Sequence, residues 1–205
     1  MFSTRIKLAL VAGTSALALL AAGCSNDRNE SSMPGMDHGS SSSATSAQPA
    51  TRTDFNAADI TFLQMMYPHH AQAVEMAKLV PSCSRNQELI ALAKSVEQAQ
   101  SPEMQQITTL LQAFGKGAPS ATMNAHEGMS GMMSHDQMTQ LEQLSGTEFD
   151  KLWMRMMIEH HQGAIAMANT ELATGQNTDS KALAQAIAGA QQGEIDQMNR
   201  MLAQG

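Results

Sequence analysis

The chain contains one short sequence pattern twice. Residues 65–77 read MMYPHHAQAVEMA, and residues 156–168 read MMIEHHQGAIAMA. The match continues in the same register, without a gap, from residues 59–111 onto residues 150–202, an offset of 91. Self-similarity of this kind indicates one supersecondary unit used twice, with the two copies packed on each other. Any fold of this chain must therefore accommodate two equivalent segments that carry methionine and histidine.

The spacing of apolar residues is helical from residue 54 onward, and short connections alternate with one long connection. We predict long helices at about 54–80, 86–114, 147–174 and 178–203. A capping box at Ser134 and Gln137 predicts a short helix that runs to about Leu144. The predicted fold is all-α: a duplicated antiparallel four-helix bundle, ferritin-like, with a long Met-rich crossover loop. Its domain is 54–205, made of repeats 54–115 and 146–205 and linker 116–145.

Helix boundaries and prolines refine the first repeat. Thr53 or Asp54 is the expected N-cap of the first helix, and Pro81 is expected to end it. Pro68 lies inside the same helix and Pro102 inside the second one. An internal proline removes one backbone hydrogen bond, so we expect a kink just before the first histidine pair.

The first 24 residues read as a targeting segment. Arg5 and Lys7 precede an apolar stretch that ends Ala-Ala-Gly-Cys24, which resembles a bacterial lipobox. We predict lipidation at Cys24 and a protein anchored to a bacterial membrane, facing the periplasm or the cell exterior. An ordinary cleaved signal is the alternative, and a spanning helix is disfavoured because a bilayer needs about 20 apolar residues. Residues 25–53 are predicted to be a flexible tether, and Met33 to His38 repeat the Met–His theme on a small scale.

Composition narrows the partners. The net charge of −7, with no basic cluster, argues against a nucleic-acid partner and suits the attraction of cations. If Cys24 is lipidated, only Cys83 remains, so an intrachain disulfide is excluded. The 18 methionines and the histidines are then the soft ligands available outside the cytoplasm, and thioethers prefer soft metals such as Cu(I).

The repeated motif places metal-ligand side chains on helix faces. Residues four apart share a face, so each histidine lies above a methionine one turn earlier. Core packing is the alternative, because methionine at helical spacing usually fills cores. Tandem histidines in both copies favour metal binding, since buried imidazoles without partners are costly. The predicted metal ligands of the motif are Met65, Met66, His69, His70, Met76, Met156, Met157, His160, His161 and Met167.

Two further regions extend this prediction. The stretch 123–138 is rich in methionine and histidine and shows no helical period before Ser134, so we predict a Cu(I) or Ag(I) site there, with packing onto the bundle as the alternative. Its candidate ligands are His126, Met129, Met132, Met133 and His135. On the second helix of each repeat, Gln100 with Glu103 and Gln191 with Glu194 are predicted either to hold the second ring nitrogen of a ligating histidine or to ligate directly. Solvated polar side chains are the alternative there.

These motifs resemble a known family. The two MMxxHHxxAxxMA units, the QxxE pairs and the stretch FDxLWMRMMIEHHQGAIAMA are similar to the ferritin-like family called domain of unknown function 305 (DUF305), over roughly residues 54–205. The resemblance implies a duplicated four-helix bundle that is usually exported. It also implies copper binding, because some members are described as periplasmic, Met- and His-rich copper-binding proteins.

The function expected from the sequence is extracytoplasmic copper binding, which contributes to copper tolerance. The protein would sequester or buffer Cu(I), and Cu(II) through histidine, with a copper-delivery partner as a further expectation and no enzyme chemistry required. A ferritin-like di-iron oxidase is the enzymatic alternative, but it needs Glu-x-x-His pairs and the chain has none. The third possibility is a structural or partner-binding bundle in which the histidines form a pH-sensitive seam.

Overall fold

The computed structural model describes residues 52–117, 119 and 129–204. Within these ranges the chain forms five α-helices and no strand: α1 Ala57–Cys83, α2 Gln87–Ala113, α3 His135–Glu142, α4 Gly146–Thr174 and α5 Thr178–Gln204. The predicted signal segment, the tether, Cys24 and His126 lie outside the described residues. None of the helices described here is long and apolar enough to cross a membrane.

The four long helices pack as two equivalent hairpins. α1 lies against α2, α4 lies against α5, and α1 and α4 pack on each other between the two hairpins. The short α3 precedes α4 and contacts both α1 and α4. The predicted all-α class and the bundle of four long helices are therefore confirmed. α1 and α4 carry the repeated motif, so the fold brings its two copies together.

Local hydrogen bonds set where α1 begins. The Asn56 side chain accepts from the N–H groups of Ala58 and Asp59, and the Asp59 carboxylate accepts from the Asn56 N–H. This capping box satisfies N–H groups that a helix start leaves free, so α1 begins after Asn56 and not at residue 54. The prediction that Pro81 ends the helix is also wrong. Pro81 lies in the last turn, and the helix ends only at Cys83.

The other helix ends follow the sequence more closely. Ser134 and Gln137 form the predicted capping box of α3, and Asn86 caps α2 with its side chain. α2 is followed by Gly115, whose positive φ of 69° suits a residue without a Cβ. Pro68 and Pro102 both lie inside continuous helices.

The hydrophobic core is divided into two clusters, one from each end of the α1–α4 contact. One contains Trp153, whose indole N–H donates to the Met76 carbonyl over 2.9 Å, together with Met156 and Met157. The other contains Phe62 and Met66 with residues of α2, α4 and α5. Because Phe62 and Trp153 are equivalent in the repeat, the two clusters are built from corresponding positions.

A buried acidic pair joins the start of α1 to the end of α4. Asp59 is fully buried and accepts hydrogen bonds from the backbone N–H groups of Asn56, Gln176 and Asn177. Glu171 is 1% exposed and lies beside it. Burial, with the neighbouring Asp59 carboxylate, raises the pKa of Glu171 to about 8. This junction ties the start of α1 to the loop that follows α4.

Candidate metal centre

The imidazole rings of His69 and His160 meet at the centre of the bundle. Their ring centroids are 3.8 Å apart and the ring planes are inclined by 42°. The two residues occupy equivalent positions in α1 and α4. A residue that contacts its own counterpart lies on the axis that relates the two copies, so this pair marks an approximate twofold axis through the bundle.

The second histidine of each motif is held by a glutamate from the neighbouring helix. His70 Nε2 lies 2.7 Å from Glu103 Oε2, and His161 Nε2 lies 2.6 Å from Glu194 Oε2. A carboxylate only accepts, so each histidine donates from Nε2, and Nδ1 is the nitrogen left to act as a ligand. Such carboxylate–imidazole pairs fix the ring and raise its basicity as a ligand. The contact between each QxxE glutamate and a motif histidine is therefore present in the structure.

The polar atoms around the axis lack partners. All four histidines are 0% exposed. Nδ1 of His70 and His161 and the buried side-chain amides of Gln100 and Gln191 have no hydrogen-bond partner. The ring nitrogens of His69 and His160 make no well-formed hydrogen bond, although the Ser130 backbone approaches the His69 ring and the His69 backbone approaches the His160 ring. The two glutamines thus do not bond the ring nitrogens. A buried polar group without a partner costs roughly 1–3 kcal/mol, and each such group in a folded protein calls for an explanation such as an ion.

Burial keeps the imidazole rings of His69 and His160, the axial pair, uncharged. Burial, with neighbouring His70, lowers the pKa of His69 to about 3, and burial likewise lowers the pKa of His160 well below its ordinary value. Both rings are therefore neutral at neutral pH, and each offers one nitrogen lone pair. A neutral imidazole with a free lone pair is the form that binds transition metals.

The methionines of the motif fall into two groups. Met66 and Met157 are completely buried one turn before His70 and His161, and Met76 and Met156 are buried as well. Met65 and Met167, in contrast, are half-buried and line a cavity near Glu171.

Imidazole and carboxylate groups alone do not complete a metal site. Among the described side chains, no three from His, Cys, Asp and Glu converge on a point that could hold a metal ion. The imidazoles on the axis therefore need a thioether, or a rotated ring, as a further ligand. The flexible thioethers of Met66 and Met157 lie on the same helices one turn away and are suited to that role.

A segment of the linker covers the histidines. The Gln72 side-chain amide donates to the Met133 carbonyl and accepts from the Met133 N–H, each over 2.8 Å. A Cβ placed on Gly131 would lie 2.8 Å from the Glu159 carbonyl oxygen, and one on Gly163 would collide with the Ser130 carbonyl. Residues 129–133, called the cover segment below, are therefore fixed to α1 by hydrogen bonds and to α4 by close backbone packing.

One candidate ligand of the linker, Met133, is a core residue. Met133 is 4% exposed and belongs to the hydrophobic cluster that contains Trp153. The alternative of packing onto the bundle therefore holds for Met133, because the cover segment lies against α1 and α4. Met129 and Met132 are half-buried and His135 is exposed at the start of α3. The role of these residues as metal ligands remains a prediction.

Gln72 and Gly163 were not identified from the sequence as site residues. They are equivalent in the repeat, where HHAQ in the first copy becomes HHQG in the second. The signal available was this departure from the repeat directly after the histidines. Its meaning depends on the cover segment, which the repeat does not contain.

Comparison with known families and structures identifies proteins with a similar sequence and fold. The profile of the family described as Domain of unknown function (DUF305) matches residues 59–202. A DUF305 protein from Streptomyces coelicolor, named as a candidate secreted protein, is 29% identical and superposes with a TM-score of 0.66, covering 72% of this chain and 93% of that one. A DUF305 fragment from Deinococcus radiodurans is 29% identical, with a TM-score of 0.67 and coverage of 73% and 98%.

A third similar structure was solved with metals. CopM in its Cu(II)-bound form is 29% identical to this chain, with a TM-score of 0.64, and the match covers 71% of this chain and 96% of CopM. CopM has also been solved in Cu(I)-bound, silver-bound and apo forms. The comparison with curated proteins found no match.

Proposed function

The chain belongs to the DUF305 family, and we propose that it is a copper-binding protein whose principal site is the histidine cluster on the twofold axis. It acts outside the cytoplasm by binding and releasing the metal, and it carries out no chemical reaction of its own. Copper is its cargo. Contribution to copper tolerance follows from sequestration of the ion in a buried, neutral ligand set.

One observation supports this proposal most directly. His69 and His160 bring two neutral imidazoles together in the core, and none of their four ring nitrogens makes a well-formed hydrogen bond. A bundle that used these positions only for packing would be more stable with apolar side chains, because unpaired buried nitrogens are costly. A bound metal ion would repay that cost.

The kind of ligand favours copper and silver. Imidazole binds both oxidation states of copper, whereas thioether sulfur favours Cu(I) and the similarly soft Ag(I). The axial imidazoles and the adjacent Met66 and Met157 supply both types, and Glu103 and Glu194 orient the flanking histidines. The structural similarity to CopM, which has been solved with Cu(I), Cu(II) and silver, is consistent with this choice.

The cellular setting belongs to the same proposal. Lipidation at Cys24 would anchor the bundle to a membrane, and residues 25–53 would separate the bundle from the lipid surface. The family resemblance to a candidate secreted protein is consistent with export. A membrane-anchored bundle would hold copper near the surface and pass it to a delivery partner.

The test is an anaerobic Cu(I) titration with a competing chelator, together with a Cu(II) titration in air. The test variant combines His69→Phe with His160→Phe, which keeps an aromatic ring at each position and removes the ring nitrogens. The matched control is His135→Ala, because His135 is exposed at the start of α3. We expect the double variant to lose the tightest copper equivalent and the control to retain it.

Two results would contradict the proposal. Unchanged copper affinity in the double variant would place the site elsewhere. A fold that collapses in the phenylalanine variant, with no copper bound by the wild type, would favour the structural bundle with a histidine seam.

A further inference from the structure

The duplicated bundle offers an internal comparison between its two ends. Met65 in α1 and Met167 in α4 are equivalent to Met156 and Met76, so each end of the α1–α4 contact carries one methionine pair. At one end, Met76 and Met156 are 0% and 4% exposed and lie in the hydrophobic core. At the other end, Met65 and Met167 are half-buried and line a cavity of about 360 Å³.

The residues around the two methionine pairs also differ: they are more polar at the end where the methionines are half-buried. Thr61, Thr170 and Glu171 line the cavity at the open end. Their counterparts at the packed end are leucine, leucine and valine: Leu152, Leu79 and Val80. Three positions that are apolar at the packed end are therefore polar at the open end, where they line the same cavity as the methionine pair. Core packing explains the first set and does not explain the second.

Glu171 is the residue at the open end that most needs a partner. It is 1% exposed, and the side chain that its carboxyl group contacts is another acid, Asp59. Its neighbour Asp59 already accepts three backbone N–H groups. Two buried carboxyl groups side by side need a proton or a cation between them or next to them. Lys181 is the one basic group that acts on Glu171, and its ammonium group is directed to the Gly175 carbonyl.

We propose that Met65, Met167 and Glu171 form a second site, separate from the histidine cluster, for a soft monovalent cation such as Cu(I) or Ag(I). The two thioethers are the soft ligands, and Glu171 releases its proton when the ion binds, so that its carboxylate balances the charge of the ion. The hydroxyl groups of Thr61 and Thr170 donate to carbonyls of their own helices, so their lone pairs remain available to the cavity.

The site differs from the axial cluster in ligand type and in access. It contains no imidazole, so it would discriminate against Cu(II), which thioethers bind weakly. Its methionines are partly exposed, whereas the four histidines are fully buried. It is therefore suited to rapid exchange at the surface of the bundle. The inference rests on the proposed function only in sharing the class of metal ion.

The experiment compares two matched double variants. Met65→Leu with Met167→Leu removes the thioethers of the open end, and Met76→Leu with Met156→Leu makes the same change at the packed end. Each is titrated with Ag(I) under native mass spectrometry, in the full mature protein and again with His69→Phe and His160→Phe. We expect the first pair to lose one Ag(I) equivalent in both backgrounds and the second pair to lose none. Glu171→Gln should weaken that equivalent at least tenfold.

A second measurement reports on the site itself. With ¹³C-labelled methionine methyl groups, Ag(I) should shift the Met65 and Met167 resonances together, in the presence and in the absence of the axial histidines. Equal losses from both methionine pairs, or no shift of these two methyl groups, would overturn the second site and leave the axial proposal standing. Retention of all Ag(I) when the histidines are replaced, with loss at the open end, would overturn the axial site instead.

Discussion

Gln72 and Gly163 occupy equivalent positions in the two repeats and hold the same five-residue segment by opposite means. The side-chain amide of Gln72, in α1, forms hydrogen bonds with both the carbonyl and the N–H group of Met133. Gly163 in α4 has no side chain, so the backbone at Ser130 and Gly131 packs directly against the helix. The linker is not duplicated, yet it packs over a histidine pair that is related by the twofold axis. It can do so because this position is glutamine in one repeat and glycine in the other.

Replacement of Gly163 by alanine should displace the cover segment. The added Cβ would collide with the Ser130 carbonyl and crowd the Gly131 Cα. Gly189→Ala is the matched control, since nothing lies within 4 Å of a Cβ there and alanine favours a helix by up to about 1 kcal/mol. We expect Gly163→Ala to lower the melting temperature and to speed metal exchange at the axial histidines, and Gly189→Ala to raise the melting temperature slightly. Thermal unfolding and metal-transfer kinetics measure both effects. Equal behaviour of the two variants would mean that the segment is not held at this contact.

Substitution of both axial histidines by phenylalanine should stabilise the metal-free protein. The change removes four buried ring nitrogens that make no well-formed hydrogen bond, and the larger phenylalanine rings offset part of the gain, so a net gain on the order of 1 kcal/mol is expected. Denaturant unfolding without metal gives the difference in the free energy of unfolding. The same variant should no longer gain stability when Cu(I) is added. Loss of stability in the metal-free state would show that the histidines serve the fold.

Removal of Glu103 and Glu194 should weaken metal binding without removing a ligand. Each carboxylate holds the Nε2–H of a flanking histidine, and loss of such a partner typically costs about 10–100-fold in affinity. Glu103→Ala with Glu194→Ala is compared with Glu159→Ala, an exposed glutamate next to His160 in sequence. The comparison separates orientation of the ring from a general change in charge. If Glu159→Ala weakens binding as much as the double variant does, the effect is long-range electrostatics.

The stability of the metal-free protein should depend on pH in two opposite ways. The pKa of Glu171 is raised to about 8 from an ordinary value of 4.5, so its contribution is present at low pH and is lost as the pH rises through that interval. The pKa of His69 is lowered to about 3 from 6.5, so its contribution is present above pH 6.5 and is lost as the pH falls toward 3.

Glu171→Gln isolates the first of these terms. Glutamine stays neutral, so the melting temperature of the variant relative to wild type should increase steadily between pH 5 and pH 8.5. Thermal scans in matched buffers across that range give the difference. A difference that is constant with pH would show that Glu171 does not retain its proton in the folded state.

Much of the fold followed from repeat and cap signals that are local in sequence. The four long helices, the capping box at Ser134 and the pairing of the two MMxxHH motifs all depend on residues within a few turns of one another or on the exact offset between copies. The start of α1 was misplaced by three residues because Asn56, not Asp54, has its side chain in position to cap. Such a choice among neighbouring polar residues depends on which one the tertiary structure leaves free.

The candidate site was less predictable where it departs from symmetry. The burial of Met133 depends on Gln72, which lies 61 residues away, and no period in the linker indicates that contact. Met76 and Met156 are packed in the core, whereas Met65 and Met167 line a cavity. This difference depends on neighbouring positions such as Val80 and Glu171. Those positions differ between the copies, and the repeat comparison on its own treats both pairs alike.

The contact between His69 and His160 has a consequence for how a site of this kind depends on concentration. Each repeat supplies one histidine of the axial pair. A chain with only one repeat could form the pair only by dimerising, so the fraction of chains with a formed pair would depend on protein concentration. Joining the two halves in one polypeptide makes that encounter intramolecular. The axial pair then survives dilution, which would matter for a protein that is exported as proposed above.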